Sequence, residues 1–300
     1  MSAFMKHAFL ILAHQYPNLL LRLVDALMSP YSNIYIHIDR KSVEMANCEI
    51  VKMLALRENV WIVPSIKTYW GGFSLIQAEL ILLREAAKNK ENRYFHLISG
   101  ADFPTKPVME IIQQFENDNH DYILWDEKET DRRYLIDSFY FYDLYGGKSK
   151  LGVWNDYVKR PFLVQIQRLS HLLVRGLRVP IRRKIPGNYY HAFGAQWFSI
   201  TQDTMRYILK YLDENPWIEK RFRHTAMSDE TFFVMIIMNG PRRDYAVNDN
   251  LRYFGNGHIN QDALGLDMED LKPIKAGNFI FCRKILPKIS NELVTNLQEN

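Results

Sequence analysis

The chain has 300 residues, 47% of them hydrophobic, and its 38 basic and 34 acidic side chains leave a formal net charge of +4. This length and hydrophobic content suit one large α/β domain or two small ones and exclude an intrinsically disordered chain. The charge is too small to indicate a nucleic-acid partner, and two cysteines are too few for a disulfide framework or a zinc cluster. We expect a single domain over residues 1–300, with a nucleotide-binding half at 1–127 and an acceptor-binding, catalytic half at 128–300.

Apolar runs and helical patterns alternate along the first half of the chain. The apolar runs predict buried strands at His7–Ala13, Asn33–Asp39, Val60–Val63, Tyr94–Ile98 and Tyr122–Trp125. The helical patterns lie between them, at Leu19–Leu27, Val43–Leu56, Phe73–Lys88 and Val108–Phe115. Strands that alternate with helices predict a largely parallel, doubly wound sheet.

Ligands of such sheets bind at the carboxyl ends of the strands. Polar clusters occur at three of these ends: His14 and Gln15 follow the first strand, Asp39–Lys41 the second, and Ser99–Asp102 the fourth. A glycine-rich loop, Tyr69–Gly72, follows the third strand. There is no G-x-G-x-x-G after the first strand and no G-x-x-x-x-G-K-[ST] anywhere, which argues against a dehydrogenase-type dinucleotide fold and against a P-loop.

The second half opens on a basic segment at about 148–186. Lysines and arginines dominate it and are opposed mainly by Asp156, with leucines and aromatic residues between them at roughly helical spacing. The segment fits either a surface helix that packs one face on the core or a contact with anionic lipid or a lipid-linked acceptor. The elements predicted beyond it are a strand at Gly194–Ile200, a helix at Gln202–Tyr211, a buried helix at Ser228–Met238, a strand at Phe279–Lys284 and a last helix from Ser290.

The stretch Ser228–Met238 combines a helix start, two acids and an apolar run. Ser228 is a favourable N-cap, and Asp229 and Glu230 would then lie in the first turn, where the helix dipole favours negative charge. The apolar run predicts a buried helix, and a carboxylate held rigidly at its mouth suits a general base. The alternative is that both acids only complement the helix dipole.

The start of the chain predicts its location. Met1–Lys6 lacks the basic and then apolar pattern of a signal peptide, and no stretch is long enough to span a bilayer. We therefore expect a cytoplasmic protein, either soluble or peripheral at the inner face of the cytoplasmic membrane.

Six stretches together carry a family resemblance: Ile36–Ser42, Trp70–Leu75, His96–Pro104, Gly194–Phe198, Ser228–Phe233 and Phe281–Lys284. In this order they resemble the core-2/I-branching β-1,6-N-acetylglucosaminyltransferases, glycosyltransferase family 14, which also holds the peptide O-xylosyltransferases. The stretches cover most of the chain, and although each alone is weak, six in order are a strong signal. The resemblance implies a GT-A-like, Rossmann-like α/β fold with a mixed sheet flanked by helices, in a variant that works without a metal.

The resemblance also implies roles for single residues. Glu230 matches the catalytic base, which takes the proton of an acceptor hydroxyl as its oxygen attacks the anomeric carbon with inversion. Lys284 matches a lysine that, together with an arginine, neutralises the leaving UDP. Arg252 is the expected arginine, and Arg283 is its rival. Asp39 matches a residue that contacts the nucleoside.

Further residues are assigned to the donor and sugar sites. His14, at the end of the first strand, is assigned to the nucleotide-sugar donor. Trp70, with Gly71 beside it, and Trp197 match aromatic positions next to the sugars, where a flat apolar face suits a pyranose ring. Asp102 is assigned to the site wall, with a turn-forming role as an equal alternative. Gln196 is assigned to the substrate site and departs from the family, since xylosyltransferases carry Asp there and branching enzymes carry a small residue.

No cofactor and no metal site are expected. No Asp-x-Asp follows a strand of the first half, whereas metal-using A-type enzymes need that acid pair to hold Mn²⁺ or Mg²⁺ against the diphosphate. The expected donor is UDP-N-acetylglucosamine, with UDP-xylose as the alternative, and the expected acceptor is a glycan or lipid-linked glycan of bacterial polysaccharide or glycolipid synthesis. Two other interpretations stay open: a non-catalytic carbohydrate-binding protein on the same fold, and a peripheral membrane protein that depends on the basic segment. The joint presence of Glu230, Lys284 and Arg252 argues against the non-catalytic protein.

Overall fold

The computed structural model describes residues 5–126, 133–137, 139–145, 189–255 and 265–299, with isolated positions between 162 and 173. The described strands are β1 (Lys6–Ala13), β2 (Ser32–Ile38), β3 (Val60–Ile62), β4 (Asn92–Ser99), β5 (Asp102–Pro104), β6 (Asp121–Ile123), β7 (Ser199–Thr201), β8 (Ala246–Asn248), β9 (Arg252–Tyr253) and β10 (Phe281–Arg283). Within these residues, seven strands form one sheet in the order β3-β2-β1-β4-β7-β6-β8, and three form a second sheet in the order β5-β10-β9.

Helices flank the large sheet. The described α-helices are α1 (Pro17–Leu27), α2 (Val43–Asn47), α3 (Glu49–Ala55), α4 (Phe73–Ala87), α5 (Val108–Gln114), α6 (Arg133–Asp137), α7 (Tyr142–Tyr145), α8 (Gln202–Glu214), α9 (Trp217–Phe222), α10 (Phe232–Met238), α11 (Leu271–Ala276) and α12 (Asn291–Gln298). Short 3₁₀ helices lie at Ser228–Glu230, Arg243–Tyr245 and Met268–Asp270.

β1 lies at the centre of the large sheet, in parallel with β2 and β4, and β2 is parallel to β3. Successive side chains of a strand point to opposite faces. Phe9 and Ile11 accordingly pack in the core cluster formed with α1, α3, α5 and α12, whereas Ala8 and Leu10 pack in the cluster formed with α4, α8 and α10. The predicted α/β fold with helices on both faces is confirmed, and the carboxyl ends of β1, β2 and β4 meet at one edge.

The sheet is mixed, as the family resemblance implies, and the mostly parallel pairing that the alternation of strands and helices predicts is interrupted at β7. β7 is antiparallel to both β4 and β6, whereas β6 and β8 are parallel. A crossover helix joins successive parallel strands, and its pattern makes their direction readable from the sequence. That signal is missing at β7, because β6 and β7 are separated by a long segment with a different composition.

The helix predicted at Val43–Leu56 is wrong in one respect. The backbone of Cys48 is extended, with φ −71° and ψ 152°, so the segment divides into α2 and α3. Cys48 is half-buried at this break, and the other cysteine, Cys282, is buried in the core.

The strand predicted at Gly194–Ile200 is also wrong at its start, because only Ser199–Thr201 forms a strand. Gly194 instead makes an isolated bridge to Trp125. A Cβ atom at Gly194 would lie 1.9 Å from the carbonyl oxygen of Leu124. The glycine therefore permits the chain to cross close behind the end of β6, and it does not start a longer strand.

The small sheet joins the end of the chain to the end of β4. The segment Asp102–Pro104, predicted to be a turn, is β5 and pairs antiparallel with β10, so that Arg283 lies opposite Asp102. The N–H of Ile285 donates to the carbonyl oxygen of Ala101 at 2.8 Å. These backbone hydrogen bonds hold Arg283 and Lys284 beside the loop that follows β4.

A buried ion pair stabilises the part of the large sheet that contains β6, β7 and β8. Asp121 is fully buried and accepts hydrogen bonds from the backbone N–H and the hydroxyl of Thr201, at 2.8 and 2.9 Å. Arg242 lies 3.2 Å from the same carboxylate. Because a buried charge must be paired, this cluster ties β6 and β7 to the turn before β8.

Two predictions fall on residues that the structure does not describe. The basic segment at 148–186 lies outside the described residues apart from isolated positions, and so does the boundary between the two halves at 127 and 128. Both stay predictions. Of the helices that are described, none has the length and apolar character needed to cross a bilayer.

Candidate active site

Charged groups from three strand ends meet in one cleft. His14 follows β1, and Asp39 and Lys41 follow β2. Arg283 is the last residue of β10, and Lys284 follows it. Although His14 is an exposed residue, loss of hydration lowers the pKa of its imidazole, and Lys284 lowers it further. Asp39 raises the same pKa, while Lys41 and Arg283 lower it. These couplings mean that the structure brings together His14, Asp39, Arg283 and Lys284, which the sequence assigned to the donor.

Asp39 is held by backbone and side-chain donors. It is 6% exposed, and its Oδ2 accepts a hydrogen bond from the hydroxyl of Thr68 at 2.7 Å. Its Oδ1 accepts from the N–H of Lys41 at 2.9 Å, and the Lys41 ammonium lies 3.5 Å from Oδ2 and 4.4 Å from the centre of the Tyr69 ring. Thr68 was not assigned to the site from sequence, because nothing in the local pattern links the loop after β3 to the end of β2, and Lys41 was noted there only as part of the polar cluster after β2.

A groove of about 630 Å³ opens beside this cluster. It is lined by residues that follow β1 and β2, among them His14, Lys41, Glu44 and Cys48. Its size and its place at the carboxyl ends of parallel strands suit a nucleotide.

Arg283 lies between an acid and an aromatic ring. Its guanidinium donates to Asp102 at 2.8 Å and stacks over the ring of Trp197 at 4.1 Å from the centroid. Asp102 is fully buried and also accepts from the N–H of Ser99 at 2.8 Å. Asp102 therefore orients Arg283 from inside the protein, and its contact with Ser99 agrees with the turn-forming alternative; its assignment to the site wall stays a prediction.

Lys284 differs from Arg283 in its pairing. It is half-buried, and within the described part of the chain it forms no ion pair with a carboxylate. Its charge lowers the pKa of His14, so its ammonium group lies near the end of β1. A cation without a carboxylate partner keeps its charge available for an anionic ligand.

Arg252, the other arginine predicted to contact the diphosphate, lies inside the protein. It is 3% exposed and donates to the carbonyl oxygens of Phe198 and Leu97 at 2.7 and 3.2 Å, and to the hydroxyl of Ser199 at 2.8 Å. Burial lowers its pKa to about 9. These contacts correct the expectation that Arg252 faces the cleft, and of the two rival arginines it is Arg283 that borders it.

The start of the Ser228 stretch also differs from the prediction. Ser228–Glu230 form a 3₁₀ turn preceded by Met227 in a left-handed conformation, with φ 51°, and the α-helix begins at Phe232. The hydroxyl of Ser228 is buried and makes no hydrogen bond with the described residues, so Ser228 is not an N-cap. Tertiary backbone contacts decide this geometry. The N–H of Met227 donates to the carbonyl oxygen of Gly71 at 3.0 Å. The N–H of Gly194 donates to the carbonyl oxygen of Glu230 at 2.7 Å.

The two adjacent acids have different environments. Asp229 is 6% exposed, and its Oδ1 has no hydrogen-bond partner among the described residues. Burial raises its pKa to about 6, and backbone hydrogen bonds limit the shift. Glu230 is half-buried. Of the pair, Glu230 is therefore the residue with the greater exposure to solvent.

Trp70 and Gly71 border the same region. Trp70 is 48% exposed, which leaves its ring available as an apolar face. Gly71 has φ 69°, and a Cβ atom there would lie 3.2 Å from the ring of Tyr142. The glycine is required both by its backbone conformation and by the close approach of α7.

Gln196 makes a contact that the sequence did not suggest. Its amide nitrogen donates to Oε1 of Glu79, on α4, at 2.6 Å. Glu79 is fully buried, and burial raises its pKa well above the ordinary value. One signal was present in the sequence, since Glu79 lies on the apolar face of α4 at helical spacing from Ile76 and Leu83.

The buried acid at Asp229 predicts a pH-dependent stability. Its pKa is about 6 in the folded chain against an ordinary value of 3.8, so the folded state binds more protons in this window and loses stability as the pH rises through it. Asp229→Asn removes this loss. At about pH 7.5 we expect the free energy of unfolding of the variant to exceed that of the wild type by at most about 3 kcal/mol, since one pKa unit corresponds to about 1.4 kcal/mol. The variant should therefore unfold at a higher temperature.

Thermal unfolding followed by circular dichroism at several pH values tests this expectation. The difference from the wild type should shrink toward about pH 4, where the folded wild type is protonated at this site. Asp244→Asn, at an exposed acid, is the control and should follow the wild type throughout. Equal unfolding temperatures of Asp229→Asn and the wild type at every pH would contradict the burial cost.

Within the described residues, no group of three or more His, Cys, Asp or Glu side chains is arranged to hold a metal ion. The cluster at the strand ends instead gathers the cations Lys41, Arg283 and Lys284 around His14 and Asp39. Such a cluster can bind an anionic group.

The family model of the core-2/I-branching enzymes matches residues 7–256 of this chain. Among curated proteins, xylosyltransferase 2 of Canis lupus familiaris is 24% identical over 236 residues, and xylosyltransferase oxt of Drosophila melanogaster is 22% identical over 308 residues. These alignments cover 77% and 93% of this chain but 24% and 31% of the two relatives. The chain thus spans about a quarter to a third of the length of the curated relatives it matches.

Among solved structures, the apo structure of the bifunctional glycosyltransferase WbbM aligns with 100% of this chain and 51% of its own, at 10% identity and a TM-score of 0.41. A second alignment, with HddC of Yersinia pseudotuberculosis, covers 47% of this chain at a TM-score of 0.26. The family model, by contrast, extends over most of the chain and includes the cleft residues from His14 to Glu230. The chain therefore belongs to the core-2/I-branching enzyme family, glycosyltransferase family 14.

Proposed function

We propose that this protein is an inverting glycosyltransferase that transfers a sugar from a UDP-sugar to a hydroxyl group of a glycan acceptor. One observation carries the proposal: the segment Gly194–Trp197 links the candidate base to a candidate cation, because Gly194 donates to the backbone carbonyl oxygen of Glu230 at 2.7 Å and Arg283 stacks over Trp197 at 4.1 Å. A transferred sugar must lie between its leaving group and the base that activates its acceptor. The cleft offers a place for each.

The proposed reaction is a single displacement. Glu230 takes the proton of the acceptor hydroxyl as the oxygen forms its bond to the anomeric carbon. The bond from that carbon to the diphosphate oxygen breaks, and its electron pair leaves with UDP. Lys284 and Arg283 stabilise the negative charge that develops on the diphosphate. Attack from the face opposite the leaving group converts an α-linked donor into a β-linked product.

We propose N-acetylglucosamine as the donor sugar, in line with the branching enzymes after which the family is named. Xylose is the second candidate, because the curated relatives are named xylosyltransferases. Gln196, as an amide, can both donate and accept hydrogen bonds, so it suits either sugar.

We propose that transfer needs no metal, because Lys284 and Arg283 supply the charge that a divalent cation would otherwise supply. Purified protein, incubated with UDP-N-acetylglucosamine or UDP-xylose and a panel of glycan acceptors, should release UDP in the presence of EDTA at an unchanged rate. Release that stops in EDTA and returns with Mn²⁺ would contradict the metal-free mechanism. If neither donor releases UDP with any acceptor, the result would contradict the transferase function and favour a binding protein.

We further propose that the protein works in the cytoplasm, where its basic segment contacts anionic membrane that carries lipid-linked acceptors. The exposed apolar side chains in this segment support a membrane contact: Phe162 is 73% exposed, Leu169 55% and Leu172 57%. Basic residues such as Arg168 and Arg175 lie between or beside them. Each Lys or Arg near an anionic surface contributes about 1 kcal/mol, which salt screens.

Sedimentation with liposomes tests this contact. At low salt we expect the protein to sediment with anionic vesicles and to stay in the supernatant with neutral ones. Replacing Arg168 and Arg175 with Gln should reduce binding, whereas the same change at the exposed residues Lys52 and Lys220, away from the segment, should not. Equal recovery with neutral and anionic vesicles would leave only a packing role for the segment.

A further inference from the structure

Glu79 is a buried acid that lacks a cationic partner. It lies near the middle of α4, is 1% exposed, and accepts one hydrogen bond, from Gln196. Its second oxygen, Oε2, is buried and has no hydrogen-bond partner among the described residues. Burial raises the pKa of Glu79, the bond from Gln196 lowers it, and Asp229 raises it, with no contribution from a described cation.

This arrangement costs stability. The neighbours of Glu79 on the buried face of α4 are apolar, including Ile76, Leu80 and Leu83. An acid in such a place loses its hydration without full compensation, so an apolar side chain of similar size would give a more stable helix contact. Residues that lower stability in this way are typical of functional sites, where a specific geometry is required.

The group that Glu79 holds is the side-chain amide of Gln196, in the segment Gly194–Trp197. Gln196 is half-buried, and its carbonyl oxygen, Oε1, forms no hydrogen bond with the described residues. The nitrogen and oxygen belong to one planar amide group, so the bond from the nitrogen to Glu79 orients the amide and leaves the oxygen as a free acceptor. Two residues before Gln196, Gly194 contacts the backbone of Glu230, and the next residue, Trp197, stacks under Arg283. Gln196 therefore belongs to the short segment that links the proposed base to one of the proposed diphosphate cations.

We propose that Glu79 is a positioning residue that fixes the amide of Gln196 so that its carbonyl oxygen accepts a hydrogen bond from the donor sugar. The inference rests on the proposed function, because it concerns the sugar of the same UDP-sugar. The matching group on the donor is a hydroxyl or an amide N–H of the transferred sugar. UDP alone lacks that group and does not engage the pair.

Binding to the purified full chain, measured by titration calorimetry with UDP-N-acetylglucosamine, UDP-xylose and UDP, tests this role. Glu79→Met and Gln196→Ala should each weaken binding of the sugar nucleotide by about 10-fold, as expected for loss of one buried hydrogen bond. The double variant should be no weaker than either single variant, because both residues support one contact. Affinity for UDP should be unchanged in all three variants.

Two further measurements separate positioning from a structural role. Glu79→Gln retains a side-chain carbonyl that can accept from Gln196, and it should restore sugar-nucleotide affinity to within about 3-fold of the wild type, less than the loss of one hydrogen bond. Glu79→Met should unfold at the same temperature as the wild type or a higher one, because it removes an uncompensated buried acid.

Several outcomes would overturn the proposal. Unchanged sugar-nucleotide binding by Glu79→Met, an equal loss of affinity for UDP, or a lower unfolding temperature would each assign Glu79 to packing alone. A double variant whose loss is the product of the two single losses would show that the residues act independently. A wild-type chain that binds neither sugar nucleotide would contradict the proposed function itself, whereas wild-type binding with unaffected variants would contradict only the role of Glu79.

Discussion

Replacing Glu230 with Gln is expected to lower turnover by about 100- to 10,000-fold and to change UDP-sugar affinity little, the range for loss of a general base. Glutamine retains the shape of the side chain but cannot take up the proton. A carboxylate is only a weak base toward a sugar hydroxyl in the ground state. The hydroxyl becomes acidic as its oxygen bonds to the anomeric carbon, so the effect falls on turnover and not on donor binding.

The matched control for this prediction is Asp229→Asn, which removes an acid one residue away. Asp229 is buried and Glu230 is half-buried, so the Asn variant should retain turnover and become more stable above about pH 6. UDP release under saturating donor and acceptor measures both variants. If Asp229→Asn is the inactive variant and Glu230→Gln retains near-normal turnover, the base is on the other carboxylate. If both variants are equally active, neither acid is a base.

Replacing Lys284 with Ala is expected to lower turnover by about 100-fold or more, as for the loss of one preorganised group that stabilises developing charge. The ammonium group has no carboxylate partner within the described residues and lies close enough to His14 to lower its pKa. Negative charge on the diphosphate grows as the bond to the sugar breaks. Lys284 therefore interacts more strongly with the transition state than with the bound donor, and turnover should fall more than donor affinity.

Lys288→Ala is the control, because Lys288 is an exposed lysine four positions further along the chain. It should keep wild-type turnover. Lys284→Arg should recover part of the lost activity, since it restores the charge with a different shape. Wild-type turnover of Lys284→Ala would mean that Lys284 is an ordinary surface lysine and that the diphosphate charge is balanced elsewhere.

The local pattern of the sequence was sufficient for much of the first half. β1, β2 and β4 form close to the apolar runs that predict them, and α1, α4 and α5 form at the helical patterns between them. Buried strands and amphipathic helices carry periodicities of their own side chains, so neighbouring residues contain the information. The same pattern identifies strand ends, which is why His14 and Asp39 could be assigned to one cleft before the structure placed them there.

The pattern failed where distant backbone contacts compete with local preference. Ser228 has the chemistry of an N-cap, but contacts of Met227 with Gly71 and of Glu230 with Gly194 hold the segment as a 3₁₀ turn instead. Cys48 breaks a continuous helical pattern by an extended backbone. Local propensities contribute only tenths of a kcal/mol to about 1 kcal/mol per residue, so tertiary contacts override them.

The sequence by itself determined the α/β class and the order of the family motifs, and it named acids and cations as candidates for one site. Only the tertiary structure decided which of them lie at that site. The sequence favours Arg252 over its rival Arg283, yet Arg252 is enclosed by Leu97, Phe198 and Ser199, and Arg283 is held near His14 by its ion pair with Asp102. The physical reason is that the hydration and pairing of a charge depend on atoms that lie far away in the chain. Hydration and pairing decide whether the charge is neutralised by groups of the protein or remains available to a ligand.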